Sequence, residues 1–176
     1  SSDISPNAVD VKSKLESNLL KQTSALPDKL PDVGGIVPPL PQYCKDKRAS
    51  DDYFMRSCKP LPFDKLLQMA RSRAPNMDGY KDVLLVQCSL TLQQQHVSLV
   101  GPRNSLLWTL YEQECQRDYG WIPSFELPRE GVVLDFGANH GIFSVLVAKA
   151  HPQLSSILAF EASPPTAFFA QENVLS

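Results

Sequence analysis

The sequence predicts a three-layer α/β fold of the doubly wound kind, and three observations in its last third carry that expectation. An apolar run, Val132-Val133-Leu134, lands on Asp135 and breaks into a glycine turn, Gly137-Ala138-Asn139-His140-Gly141. An apolar helical run follows from Ile142 to Ala150. After a short polar link a second apolar run, Ile157 to Phe160, also lands on an acid, Glu161. Strand, tight turn, helix, strand and acid form the first half of a nucleotide-binding β-α-β unit.

The turn narrows the ligand. Glycines let the backbone bend sharply and approach a ligand where a Cβ would collide. The helix that follows presents unpaired N–H groups and a positive dipole end at the same place. A dinucleotide fingerprint reads G-x-G-x-x-G, but counted from Gly137 its second and third glycine places hold Asn139 and Ile142. The pattern here is D-x-G-x-N-x-G. An acid two residues before the first glycine can meet the ammonium of a bound amino acid, directly or through water. Glu161, at the tip of the neighbouring strand, is placed to accept hydrogen bonds from both hydroxyls of a ribose.

These residues, VVLDFGANHGIFSVLVAK followed by ILAFEASPPTAFFAQENV, resemble the FkbM-type family of S-adenosylmethionine-dependent methyltransferases. That family shows an Asp-x-Gly-Ala-Asn-x-Gly turn, an aromatic-Ser pair (here Phe143-Ser144) and an aromatic-Glu pair closing the second strand (here Phe160-Glu161). A proline-started helix ending on Glu-Asn (Glu172-Asn173) completes the likeness, which covers about a quarter of the chain. Two positions depart from it: Ala162 stands where the family has proline, and His140 where it has an apolar residue. The resemblance implies a Rossmann-like methyltransferase fold, of which the chain holds the start, through the first β-α-β-α. It implies methyl transfer from S-adenosylmethionine to an oxygen nucleophile on a sugar-like or secondary-metabolite hydroxyl, so that the partner is a small-molecule or glycan acceptor. It assigns cofactor binding to Asp135, Phe136, Gly137, Ala138, Asn139, Gly141, Glu161 and Ala162, and assigns no catalytic base and no metal. Two other readings stand beside it: an NAD-type oxidoreductase, sharing the strand-tip acid, and a non-catalytic methyltransferase-like interaction module.

Structural roles compete for several of these positions. Asn139 also suits a turn that needs a left-handed residue. His140 reads as a solvated turn residue. Phe143, Val145, Leu146 and Val147 read as core. Ser163 is an N-cap candidate with Pro164 at the first helical position, where its missing N–H costs nothing. Phe168, Phe169 and Val174 then face the sheet.

Composition sets the outer bounds. The 176 residues suffice for one domain, the apolar content of 43% is ordinary, and the net charge of −2 argues against a nucleic-acid surface. No run approaches the ~20 apolar residues of a membrane span. Cys44, Cys58, Cys88 and Cys115 lie too far apart for a Cys-x-x-Cys pair. Cys88 and Cys115 read as small core hydrophobes, and a Cys44–Cys58 disulfide is open to a protein maturing in an oxidising compartment. Localisation divides the same way: unpaired cysteines fit the cytoplasm, and a stem-like front end fits a luminal protein whose anchor has been removed.

Three segments follow. Residues 1–42 read as a disordered or extended, proline-rich stem, with a brief helix over Val11–Leu20 and the alternative of a strap packed on the domain. Residues 43–130 form a helix and hairpin region packing on the catalytic fold, and 131–176 the start of the cofactor domain. Within the middle segment, Tyr43–Ser57 reads as loop or irregular helix and Leu61–Arg73 as a helix with Phe63, Leu66, Leu67 and Ala70 on one face. Lys65, Arg71 and Arg73 there suit either an anion patch or a solvated helix end. Val83–Cys88 and His96–Val100 are β-like. Leu90–Gln95 between them is ambiguous, its glutamines suggesting an exposed edge or a helix. His96 reads as a polar-face residue. Pro102–Arg117 is a helix with Leu106, Leu107, Leu110, Tyr111 and Cys115 inward and Glu112 and Glu114 outward. By the resemblance, Trp108, Tyr111, Tyr119 and Trp121 wall the cofactor pocket or serve as core.

Overall fold

The alternation of apolar and polar residues from Leu85 onward decides the front half of the fold, because it supports one long strand through the ambiguous glutamine-rich stretch. The computed structural model describes residues 37–69 and 77–175, and among them the chain is mixed α/β, with five α-helices and two small sheets. The stem and its Val11–Leu20 helix lie almost wholly outside the described residues, as do Arg71 and Arg73 of the anion patch.

A 3₁₀ turn at Gln42–Lys45 leads into α1 (Lys47–Met55). This helix is regular because Asp46 caps it: its carboxylate accepts the Ala49 N–H at 2.7 Å. Then come β1 (Cys58–Pro60) and α2 (Phe63–Met69), the latter starting just after Pro62. Strand β2 (Leu85–Leu92) runs through the ambiguous stretch and buries Val86, Cys88, Leu90 and Leu92 on one face. It turns at Gln93-Gln94 into β3 (Gln95–Pro102). Both turn residues have left-handed backbones, φ 45° and 66°, as a two-residue hairpin needs. The expected exposed glutamine edge holds for Gln94 and fails for Gln93, which is buried at the hairpin tip, 2% exposed. His96 is exposed, within 3.2 Å of the Ser89 hydroxyl.

Helix α3 (Arg103–Tyr111) widens into a π-helical turn, Glu112–Gln116, and a 3₁₀ turn at Ile122–Ser124 follows. The wider turn shifts side chains around the axis. This overturns one expectation: Glu114 points inward, 5% exposed, and accepts from the Tyr43 hydroxyl and the Gln93 N–H.

The last third holds β4 (Val132–Phe136), α4 (Ile142–Ala150), β5 (Ser156–Phe160) and α5 (Pro164–Val174). Strands β4 and β5 pair in parallel, with Asp135 opposite Ala159 and Phe136 opposite Phe160. Ser163 takes the N-cap position of α5, though its side chain makes no capping bond. Parallel sheets ordinarily have both faces covered. Here Val133 and Ile157 pack toward α4 and the core, while Val132, Leu134, Phe136, Leu158 and Phe160 are exposed on the other face.

One core joins Phe54, the inward residues of β2 and β3, Leu106, Leu107 and Leu110, and Ile142 and Val145–Val147. A second joins Leu61, Leu66, Met77, Leu85 and Val100 to Phe168 and Phe169. Helix α5 thus buries its phenylalanines against β3, and Val174, expected on the sheet, is 52% exposed. Phe143 is half-buried.

The cysteine expectations are corrected as well. The disulfides are Cys44–Cys115 and Cys58–Cys88, so Cys44 and Cys58 do not pair with each other. Strand register makes Cys58 the direct partner of Cys88, and this leaves Cys44 for the π-helical turn. Cys88 and Cys115 are buried as expected, but as half-cystines. Among the described residues no helix is long and apolar enough to cross a membrane.

Candidate functional site

The glycine turn joins β4 to α4 and is pinned over the tip of β5. Gly137 N–H and Ala138 N–H both donate to the Phe160 carbonyl, at 2.8 and 2.9 Å. Three of its residues are left-handed: Gly137 (φ 79°), Asn139 (51°) and Gly141 (72°). The two glycines do different work. A Cβ on Gly141 would lie 3.1–3.3 Å from Ala170, so this glycine lets α5 approach. A Cβ on Gly137 would meet nothing within 4 Å, so the space above it is open.

The two strand-tip acids sit on either side of this turn. Asp135 is 8% exposed and its carboxylate accepts the Ser144 hydroxyl at 2.6 Å. Glu161 is half-buried and accepts the Asn139 N–H at 2.9 Å and the Ser163 N–H at 2.8 Å. Asn139 also reaches the other way, its side-chain amide donating to Thr109 Oγ1 at 3.3 Å. It is both turn residue and tie to α3.

Beside the turn lies a cavity of about 120 Å³. Asp135, Gly137, Ala138 and Asn139 line it from the turn, and Ile142 and Phe143 from α4. Thr109, Glu112, Gln113, Asp118 and Tyr119 line it from α3 and the segment after it. Four of the expected cofactor residues thus share one cavity. Phe136, Gly141, Glu161 and Ala162 are not in its lining. Phe136 is 73% exposed and stacks on Phe160, and Ala162 is exposed. Of the four aromatic residues expected as a wall, Tyr119 lines the cavity, with its ring 4.9 Å from that of Phe143. Trp121 is buried, while Trp108 is exposed and donates to Glu112.

The cavity is rich in acceptors. Three carboxylates line it and no lysine, arginine or histidine does. Burial pushes the Glu114 carboxyl, just behind this wall, above the ordinary range; the Gln93 and Tyr43 bonds oppose that push. Among the described residues no three His, Cys, Asp or Glu side chains are arranged to hold a metal ion. A larger apolar groove, about 300 Å³, runs between α4, β5 and α5, and its lining includes no carboxylate.

His140 contradicts its sequence reading: it is buried, 2% exposed, not solvated. Its ring lies against Gly101, where a Cβ would come within 2.9 Å of it. Nε2 is 3.3 Å from the Ser105 hydroxyl, and Nδ1 has no partner. Burial pulls its pKa down from 6.5 to about 4, against the pull of the Glu161 charge. The unfolded chain therefore binds a proton in a range where the folded protein does not. The contribution of His140 to stability is fully present above pH 6.5 and is lost as pH falls toward 4, by up to about 3 kcal/mol. Urea unfolding at pH 7 and pH 4.5 should show this loss, and His140→Leu should reduce it; an identical pH slope in the variant would refute the assignment.

Thr109, Glu112, Gln113 and Asp118 were not singled out as ligands by sequence reasoning. The one available signal was their place just before the chain returns to β4. Comparison with family models, with curated proteins and with solved structures found no match for the chain.

Proposed function

We propose that the chain carries the cofactor-binding part of an S-adenosylmethionine-dependent methyltransferase of FkbM type, built on a Rossmann-like, doubly wound sheet. The reaction would be methylation of an oxygen nucleophile on a sugar-like or secondary-metabolite hydroxyl. One observation carries this reading: Asp135 and Glu161 flank a left-handed glycine turn at adjacent parallel strand ends, beside a cavity lined by acceptors and open above Gly137.

The chemistry of the cavity fits the group. Its carboxylates favour a ligand with positive charge, as the ammonium and sulfonium of S-adenosylmethionine provide. The same carboxylates would repel the diphosphate of a dinucleotide, and the missing G-x-G-x-x-G also counts against the oxidoreductase reading. Asp135 and the Gly137–Gly141 backbone would hold the methionyl end, and Glu161, with the neighbouring Phe136 and Ala162, the ribose. When bound, the cofactor supplies a methyl group already activated by its sulfonium. The residues of this chain contribute alignment and exclusion of water. Asp135 is held in one orientation by Ser144, and Glu161 by two N–H groups. With both disulfides formed, the setting that fits best is oxidising, luminal or extracellular.

Glu161→Ala should weaken S-adenosylmethionine binding by about 1–3 kcal/mol, roughly fivefold to 150-fold, through loss of charge-assisted hydrogen bonds. Calorimetric titration measures this directly. Unchanged affinity in a folded variant would remove Glu161 from the site.

A further inference from the structure

Gln113 is 3% exposed, lines the acceptor-rich cavity, and has a side-chain oxygen, Oε1, that is buried without a partner. A buried carbonyl that forgoes its hydrogen bond loses stability, so folded proteins rarely leave one orphaned; an ordered water or a ligand ordinarily supplies the donor. The surrounding structure ties down the backbone around this residue. Gln93 Nε2 donates to the Gln113 carbonyl at 2.9 Å and to the Gly120 carbonyl at 3.3 Å. Gln93 Oε1 accepts the Ile122 N–H at 2.8 Å, and the Gln93 N–H reaches Glu114 at 2.8 Å. One residue at a hairpin tip therefore ties down both ends of the 113–122 segment while staying outside the cavity. Its left-handed φ of 45° is a costly conformation for glutamine, of the kind retained where position matters. The disulfide of Cys115 anchors the same turn to Cys44.

We infer that Gln113 is a ligand-contacting residue whose side-chain carbonyl accepts a hydrogen bond from a positively charged amino group of the bound molecule, and that Gln93 positions it. This rests on the methyltransferase reading, in which the amino group belongs to the methionyl end of S-adenosylmethionine. The observations favour a nitrogen cation over an anion: the cavity around Gln113 brings together Glu112, Asp118 and Asp135 with no basic side chain.

The test compares S-adenosylmethionine with 5′-methylthioadenosine, which keeps the nucleoside and lacks the amino acid end. Gln113→Leu should lower affinity for S-adenosylmethionine about tenfold to a hundredfold and leave that for methylthioadenosine unchanged. Gln113→Glu, which keeps an acceptor and adds charge, should retain binding of S-adenosylmethionine. Gln93→Met should weaken S-adenosylmethionine binding without altering affinity for methylthioadenosine. Equal losses for both ligands, or none, would overturn the assignment. A second readout needs no ligand: Gln113→Leu removes the amide with its orphaned carbonyl and puts an apolar group of similar size in its place, so the free protein should melt no lower. A lower melting temperature would mean that the amide has a structural partner, and the inference fails. Wild-type protein that binds neither compound would overturn the methyltransferase reading and this assignment with it, whereas binding by the wild type with equal losses in the variant overturns the assignment alone.

Discussion

Replacing Asn173 by alanine is expected to destabilise the protein by about 3–5 kcal/mol, although Asn173 lies on α5 far along the chain from the residues it serves. Its Oδ1 accepts the Val100 N–H at 2.6 Å. Its Nδ2 donates to the Val100 carbonyl at 3.1 Å and to the His140 carbonyl at 2.8 Å. Asn173 is 2% exposed, so truncation leaves three backbone groups buried without this partner. The bonds join α5, β3 and the glycine turn, so the turn should loosen with them. Urea unfolding should show the midpoint falling while the slope is retained. A change under 1 kcal/mol would mean that the turn is held by other contacts.

The second large effect concerns the disulfide Cys44–Cys115. It closes a loop with a sequence separation of 71 and fixes the π-helical turn that carries Glu112 and Gln113. The double variant Cys44→Ser, Cys115→Ser should lose about 2–5 kcal/mol, from the freedom regained by the unfolded chain. For a domain of this size that amounts to roughly 5–15 °C in melting temperature. The non-reduced protein should show no free thiol by titration under denaturing conditions, since no cysteine is free. Four titratable thiols in protein matured in an oxidising environment, or an unaltered melting temperature in the double variant, would contradict the role given to this bond.

How much of this was legible in the sequence depends on how local each determinant is. The unit from Val132 to Val174 could be read because every part declares itself within a few residues: apolar run, acid, glycines, helix, apolar run, acid. Even there, burial of His140 was hidden. It depends on Gly101, a strand glycine, giving way to the ring from another element. A glycine inside a strand marks such close approach, and Gly101 lies within β3. The wall of the cavity was illegible for the same reason. Whether Glu114 faces in or out turns on a π-helical widening, held by Gln93 from the hairpin and Tyr43 from the segment before α1. No periodicity within 102–117 contains that information. Cysteine spacing left three connectivities open for four residues, and strand register chose among them. The hairpin tip is hard to read because glutamine is a poor match for a left-handed turn, and its side-chain bonds to 113–122 offset that cost.

The proposal stands on two acids and a glycine turn gripping a cationic nucleoside. Calorimetric titration of the unaltered protein, with S-adenosylmethionine in one series and NAD in another, addresses it most directly. A saturable one-to-one isotherm for S-adenosylmethionine and no heat of binding for NAD is the predicted result. Binding of NAD, or of neither ligand by folded and fully oxidised protein, would contradict it.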